Sequence, residues 1–393
     1  MIAPHRAVVA GLICLDIIPD LSLLPVGKFE RLLQPGHMTK VGAATLSTGG
    51  AVSNTGLALH LLGIPTRLIG KVGDDLFGQI VLNIVGAYGA DLAAGMVVDR
   101  ASATSYTLII SLPGTDRTFL HCTGANDTFS AADVSSDQLA QADLLHFGYP
   151  PVMRRMYTQG GCELVELMRR AKAAGITTSL DLCYPDPASE AAQVDWHAIF
   201  KAVLPYVDIF SPSVEELLFL LRRATLNELA SRGVVLGQIT PGLLTGIGDE
   251  LLSMGARIVV IKLGARGAYL RTAGTAVLKE MGRARPGDLA AWADREMWAP
   301  CFKVDVAGTT GAGDATIAGF LSALLRDESP QLAMTMAVAV GACNVEAADA
   351  LSGIRSWEAT LARVGQSWPR LPLQISAAGW SWDVQSSAWQ RAT

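Results

Sequence analysis

The feature that most constrains this chain is an alternation. Short apolar runs of strand length recur along it: AVVAGLICL at 7–15, TRLIGKVG at 66–73, ADLLHFG at 142–148, TTSLDLC at 177–183 and RIVVIKLG at 257–264. Between them lie longer stretches with helical spacing, such as AVSNTGLALHLLG, LFGQIVLNIVGAYG and CELVELMRRAKAAG. This order predicts βαβ units, in which mostly parallel strands form a sheet buried under helices on both faces. The expected class is therefore α/β, and a chain that is 50% hydrophobic and 17% charged has the material for so large a core.

Three stretches interrupt the pattern. Residues 17–44 carry no clear helix, and SYTLIISL-PGTD-RTFLHCT at 105–123 reads as two strands joined by a Pro-Gly turn. These pieces form either a small antiparallel sheet across one edge of the main domain or an ordinary surface hairpin. Residues 274–300 read as a loop-rich insertion, and the tail beyond Leu371 carries Trp380, Trp382 and Trp389, which serve to dock it onto the body.

The charge balance, 31 basic against 36 acidic residues for a net −5, runs without blocks of either sign. It gives no electrostatic footprint for nucleic acid or a membrane surface, so the expected partner is a small molecule. No apolar run reaches the roughly 18 to 20 residues a membrane-spanning helix needs. The apolar run after His5-Arg6 ends at Asp16 with Pro19-Asp20 following, which favours a buried first strand over a signal peptide. Six scattered cysteines, none in a C-x-x-C pair, point to reduced thiols and a cytoplasmic protein.

The chemistry concentrates in two glycine clusters. In GTTGAGDATIAGF at 308–320, three glycines precede Asp314, and Ile317, Phe320, Leu321 and Leu324 then recur at helical spacing. A helix starting there aims unpaired N–H groups and the positive end of its dipole at whatever lies in front, and glycines let an anion approach closely. Asp314 serves there either as an N-cap or as an acceptor for the proton of a hydroxyl that attacks phosphate.

In STGGAVSNTGLALHLLG at 47–63, Gly49 and Gly50 open a helix with Asn54 in its first turn. This is either a tight turn with local capping or a backbone brought close to a polyhydroxylated ligand. Asp16, at the end of the first strand, adds an acceptor where parallel sheets place ligands. There is no P-loop motif, and no tyrosine has a lysine four residues on, which weakens a nicotinamide reading of the glycines.

The two clusters, with Gly73-Asp74-Asp75-Leu76-Phe77-Gly78 following the first, resemble the signatures of the PfkB, or ribokinase-like, carbohydrate kinases over about residues 7–355. The resemblance implies a ribokinase-like three-layer sandwich with a mostly parallel central sheet plus a small antiparallel β lid. The α/β domain would comprise 1–16, 45–100 and 127–365, the lid 17–44 and 101–126, and the tail 366–393. It implies ATP-dependent phosphorylation of a sugar or sugar-acid hydroxyl.

Asp314 would be the base, and the amides of Gly311, Ala312 and Gly313 the anion hole. Asp16, Gly49, Gly50 and Asn54 would bind sugar hydroxyls, Gly264 and Gly267 would flank ATP, and Glu216 would help place Mg2+. Exposed lid edges would suit pairing with a second copy.

Six positions depart from the family pattern, two of them Val52 and Gly56 in the first signature, where proline and alanine are more usual. Gly308 stands where an acid is often tied to a monovalent cation, which puts potassium activation in doubt. Ser213 replaces an asparagine three residues before Glu216, and after Asp181 the chain has Cys183 and Pro185 where asparagine and arginine are common. These departures leave the phosphate chemistry standing and blur the acceptor. A nucleoside or small-alcohol kinase, or a non-catalytic sugar- or nucleotide-binding relative, are the alternatives.

Overall fold

The computed structural model describes residues 5–24, 34–112 and 117–392. The Pro113-Gly114 turn expected between the two lid strands lies outside these residues, as does part of the 17–44 stretch.

The first strand, β1 (Ala7–Gly11), lies between β4 (Thr66–Ile69) and β9 (Leu144–Gly148). The main sheet continues from β9 through β10 (Thr177–Leu180), β11 (Ile209–Phe210) and β12 (Ile258–Lys262), with all neighbours parallel. Beyond β12 the pairing turns antiparallel, through β13 (Ala268–Thr272), β14 (Glu296–Ala299), β16 (Ala388–Arg391) and β15 (Trp380–Asp383), completing ten strands.

A second sheet orders β3 (Ala44–Gly49), β2 (Cys14–Pro19), β7 (Tyr106–Ile110) and β8 (Thr118–Cys122). Its two hairpin pairs are antiparallel and are joined through a parallel β2–β7 contact. Two short strands, β5 (Lys71–Gly73) and β6 (Val97–Asp99), pair apart from both sheets.

The near-continuous apolar strands are explained by burial on both faces. Along β12, Ile258 and Val260 pack into one core and Val259 and Ile261 into the other, because successive strand residues point to opposite sides. The first core includes residues of the Ala51–Leu61, Ala312–Leu324 and Pro330–Asn344 helices; the second includes residues of the Cys162–Ala173, Trp196–Val203 and Pro241–Ser253 helices. Each large aliphatic side chain so buried contributes about 1.5–3 kcal/mol. Charged groups are therefore expected only where the strands end.

Two expectations need correction. The 274–300 stretch is only partly loop: it contains short helices at Thr275–Leu278 and Leu289–Trp292 and ends in β14, a fully buried strand inside the main sheet. The Arg295-Glu296 pair disguised that strand in the sequence. The Glu296 carboxylate is accommodated because Tyr269, Thr245 and Arg391 all donate to it. The tail docks through more than its tryptophans, since β15 and β16 extend the sheet, with Trp382 against Trp389 and Trp380 beside Tyr269.

Residues Leu12 and Ile13 alone separate β1 from β2, so the first strand of the main sheet feeds straight into the small sheet. The small sheet is thereby tied to the carboxyl end of β1. There, the crossover to β4 leaves on one side and β9 lies on the other, the kind of switch point where open α/β sheets bind ligands.

Candidate active site

A cavity of about 970 Å³ opens at this switch point, between the small sheet and the carboxyl ends of the main strands. Asp16 and Thr107 from the small sheet, Gly49, Gly50 and Asn54 from the first glycine cluster, and Gly311 from the second all line it. Two sequence segments about 260 residues apart thus meet at one wall.

Asp314 lies in the first turn of the Ala312–Leu324 helix, behind Gly311, whose φ of 71° is a conformation glycine adopts without strain. Its carboxylate is only 2% exposed. Asn54 Nδ2 donates to Oδ2 at 3.0 Å, the Thr55 hydroxyl to Oδ1 at 3.0 Å, and the Tyr149 hydroxyl to Oδ2 at 2.7 Å. Hydrogen bonds to a charged acceptor are each worth about 1.5–3 kcal/mol, enough together to hold a carboxylate in one orientation. The N–H of Ala312 donates to the Thr309 carbonyl at 3.3 Å, so one amide of the expected anion hole is directed into its own loop.

Asn54 has a second face. Its Oδ1 is buried without a hydrogen-bond partner among the described residues, although its amide nitrogen is engaged with Asp314. A buried acceptor without a donor is costly, by about 1–3 kcal/mol. It suits a ligand hydroxyl.

Asp16 is the contrasting acid. Burial pushes its carboxyl up to about 6, against the pull of hydrogen bonds from the Cys14 thiol and the Thr107 hydroxyl. Gly49 is required beside it, because a Cβ there would stand 2.4 Å from Asp16 Oδ2. Gly50 caps the Ala51–Leu61 helix on the same wall.

Behind the helix start, Lys262 at the end of β12 makes a 2.6 Å ion pair with Asp181 at the end of β10. Burial acts to lower Lys262, but Asp181 and Glu216 overcome it and hold the ammonium above its usual range. Burial drives Asp181 upward in spite of Lys262, and its Oδ2 has no partner among the described residues. A Cβ on Gly313 would lie 3.6 Å from Lys262 Nζ, so this ammonium stands directly beside the turn that carries Asp314.

Glu216 belongs to the same charge cluster, but in this structure its Oε2 accepts from the Ser213 N–H while Ser213 Oγ accepts from the Glu216 N–H, a reciprocal capping box. Gly264 and Gly267 bound the turn from β12 to β13, with Gly267 against the Ala299 carbonyl. They share the carboxyl end of β12 with Lys262.

The residues present fit a nucleotide with its divalent cation: a glycine-rich helix start faces the cavity, and Asp181 offers an unpartnered carboxylate oxygen beside it. They do not fit a cation held by residue 308. A Cβ at Gly308 would sit 2.8 Å from the Ala348 carbonyl oxygen and 3.0 Å from that of Ala347, and the Ala307 and Gly308 amides both donate to Val345 O. The loop has closed onto the place an acidic side chain would take.

Sequence reasoning missed Tyr149, Thr55 and Lys262. Tyr149 follows β9 in HFGYPP and has φ 72° and ψ 36°, a left-handed conformation that costs a non-glycine residue about 1–2 kcal/mol. Lys262 had a readable signal, a single cation ending the apolar run RIVVIK. Thr55 looks like any polar residue of a helical first turn.

Comparison with known proteins identifies the family and the fold. A family model described as pfkB family carbohydrate kinase matches residues 6–357. Fructokinase-2 of Oryza sativa subsp. japonica is 24% identical over 337 residues, covering 83% of this chain and 82% of that protein. The 2-dehydro-3-deoxygluconokinase of Bacillus subtilis (strain 168) is 27% identical over 331 residues, covering 82% and 88%. Among solved structures, Arabidopsis thaliana ribokinase complexed with ribose and ATP superposes with a TM-score of 0.66 at 19% identity, covering 92% of this chain and 98% of that one. The fold is ribokinase-like.

Proposed function

Because this chain belongs to the pfkB family of carbohydrate kinases, we propose that it transfers phosphate from ATP to a hydroxyl of a sugar held between Asp16 and Asp314. The observation that carries this reading is Asn54, whose amide nitrogen binds the Asp314 carboxylate while its buried Oδ1 awaits a donor. A hydroxyl of the acceptor supplies that donor, and the same side chain then links acceptor to base.

In this reading Asp16 accepts from other hydroxyls of the acceptor, and Gly49 and Gly50 let it approach the backbone. Asp314 takes the proton of the attacking hydroxyl as that oxygen bonds to phosphorus and the bond to the nucleotide breaks. The amides of Gly311 and Gly313 stabilise the charge that develops on the phosphoryl oxygens, and the Ala312 amide joins them if the loop releases it. ATP supplies the phosphoryl group, with Gly264 and Gly267 beside it and Glu216 and Asp181 available to Mg2+ and its waters. The small sheet limits competition by water.

The wall from Cys183 to Asp186 presents a thiol, a phenol, a proline and a carboxylate to the cavity, while Arg117 lines it from the small-sheet side, so either a neutral sugar or a sugar acid can be met there. The outer strands of the lid, with Leu46 and Leu120 exposed, suit pairing with a second copy, which sedimentation would reveal.

A panel of neutral sugars, sugar acids and nucleosides, assayed for ADP release beside an Asp314→Asn control, tests the assignment. Release with a sugar or sugar acid and none in the control is the expected result. If no compound gives release above the control, the kinase reading fails.

A further inference from the structure

Among the described residues, Tyr149 is the one side chain on Asp314 that belongs to neither glycine cluster. It stands at the carboxyl end of β9, next to β1 at the switch point, and Pro150 and Pro151 fix the turn behind it. Its backbone adopts the left-handed region, which a tyrosine occupies only when its surroundings compel it. The outcome of that conformation is specific: the ring lines the cavity and its hydroxyl donates to Asp314 Oδ2 at 2.7 Å, the shortest of the three contacts on that carboxylate.

Each carboxylate oxygen offers two lone-pair directions. Oδ2 receives both Asn54 Nδ2 and the Tyr149 hydroxyl, whereas Oδ1 receives the Thr55 hydroxyl. Among the described residues, Thr55 is the one donor on Oδ1, which leaves that oxygen a second direction. We propose that Tyr149 is the positioning residue of the base: with Asn54 it fills Oδ2 of Asp314, so that the acceptor proton is taken on Oδ1. This rests on the reading of Asp314 as the base.

The phenol is suited to that task because it stays a donor. Burial pushes the Tyr149 hydroxyl well above its usual range, and the neighbouring carboxylates of Asp314 and Asp181 push it further. It therefore neither ionises nor competes for the proton. An alternative geometry has the acceptor hydroxyl displacing Tyr149 from Oδ2, and the two make opposite predictions for the same variant.

Tyr149→Phe removes one oxygen and leaves the ring and backbone. The expected result is a fall in kcat of about tenfold, with KM for ATP and acceptor within about twofold and an unchanged thermal midpoint. Adding Tyr149→Phe to Asp314→Asn should change the residual turnover less than about twofold, because Tyr149 acts through that carboxylate.

A wild-type kcat, or a lower acceptor KM as displacement requires, overturns the proposal. So does a lost thermal transition or a full tenfold further loss in the double variant, each of which makes Tyr149 a packing residue. The two levels separate cleanly: full activity in Asp314→Asn alone removes the base itself, whereas an inactive Asp314→Asn with an unaffected Tyr149→Phe removes only the positioning role.

Discussion

Asp16 lines the cavity and Asp314 lies buried behind its Asn54, Tyr149 and Gly311 wall, and the surroundings of these two aspartates are opposites. Asp314 sits at a helix start and receives three side-chain donors, from Asn54, Thr55 and Tyr149. Asp16 receives weaker support, from a thiol at 3.4 Å and from Thr107, and burial pushes it up to about 6. One acid carries its solvation with it, while the other must obtain it from what binds. Under the proposed function, this contrast separates a group held ready for chemistry from a group that recognises a ligand, since hydroxyls of an acceptor would be the donors Asp16 lacks.

The contrast breaks most directly at Asp314. Asp314→Asn keeps the size and most of the hydrogen bonds but removes the negative charge, so kcat should fall by about a thousandfold or more, with acceptor KM little changed. Steady-state kinetics in both substrates check this. A loss confined to KM would make Asp314 a binding residue and erase the distinction between the two acids.

The next largest effect lies on the other acid and needs no change to it. Gly49→Ala would place a Cβ 2.4 Å from Asp16 Oδ2 and force the carboxylate from its place. Acceptor KM should rise by about thirtyfold while KM for ATP stays within a factor of about two, since the nucleotide elements lie at β12 and the helix start. Equal rises in both KM values would place Gly49 in the general architecture and not in recognition.

Much of this was legible beforehand, and what was not has physical causes. The alternation of apolar runs revealed the parallel part of the sheet because strands buried on both faces, such as IVVI at 258–261, tolerate few polar residues. The antiparallel extension was hidden because β14 begins with Glu296, whose burial depends on partners at 245, 269 and 391. The glycine clusters advertised Asp314 and Asn54, since close approach restricts residue type.

Tyr149 was not legible. Its proposed role rests on a backbone conformation and on a contact 165 residues away, and neither leaves a periodic trace. Glu216 was legible as an acid near the site, but its engagement in a cap with Ser213 depends on the observed rotamer.

The pH dependence follows from Asp16 and is smaller. Its folded value, about 6, lies above the ordinary 3.8, so the native state binds more protons than the unfolded chain between those values. Its contribution to stability is therefore fully present below about 4 and is lost as pH rises through about 6. Acceptor binding runs the other way, because hydroxyl donors favour the ionised form. Acceptor KM should rise by about tenfold between pH 7 and 5, where about one-tenth of Asp16 would be ionised. Asp16→Asn should have a high, flat acceptor KM over that range, and a retained slope would assign the dependence to another group.

The smallest expected effect concerns a third acid, the one this chain lacks. Family members often carry an acid at the position of Gly308, tied to a monovalent cation beside the phosphate loop. Here the Ala347 and Ala348 carbonyls close on Gly308, and Val345 O takes both the Ala307 and Gly308 amides. Those amide bonds tie the loop to Val345, and Lys262 already provides a fixed positive charge beside Gly313. Replacing potassium by tetramethylammonium at constant ionic strength should thus alter kcat by less than about twofold. A steep potassium dependence would mean that the carbonyls themselves coordinate the ion. The phosphate side would then resemble the Asp16 side, waiting for a ligand to complete it, and the division between a prepared half and a receptive half of the site would be lost.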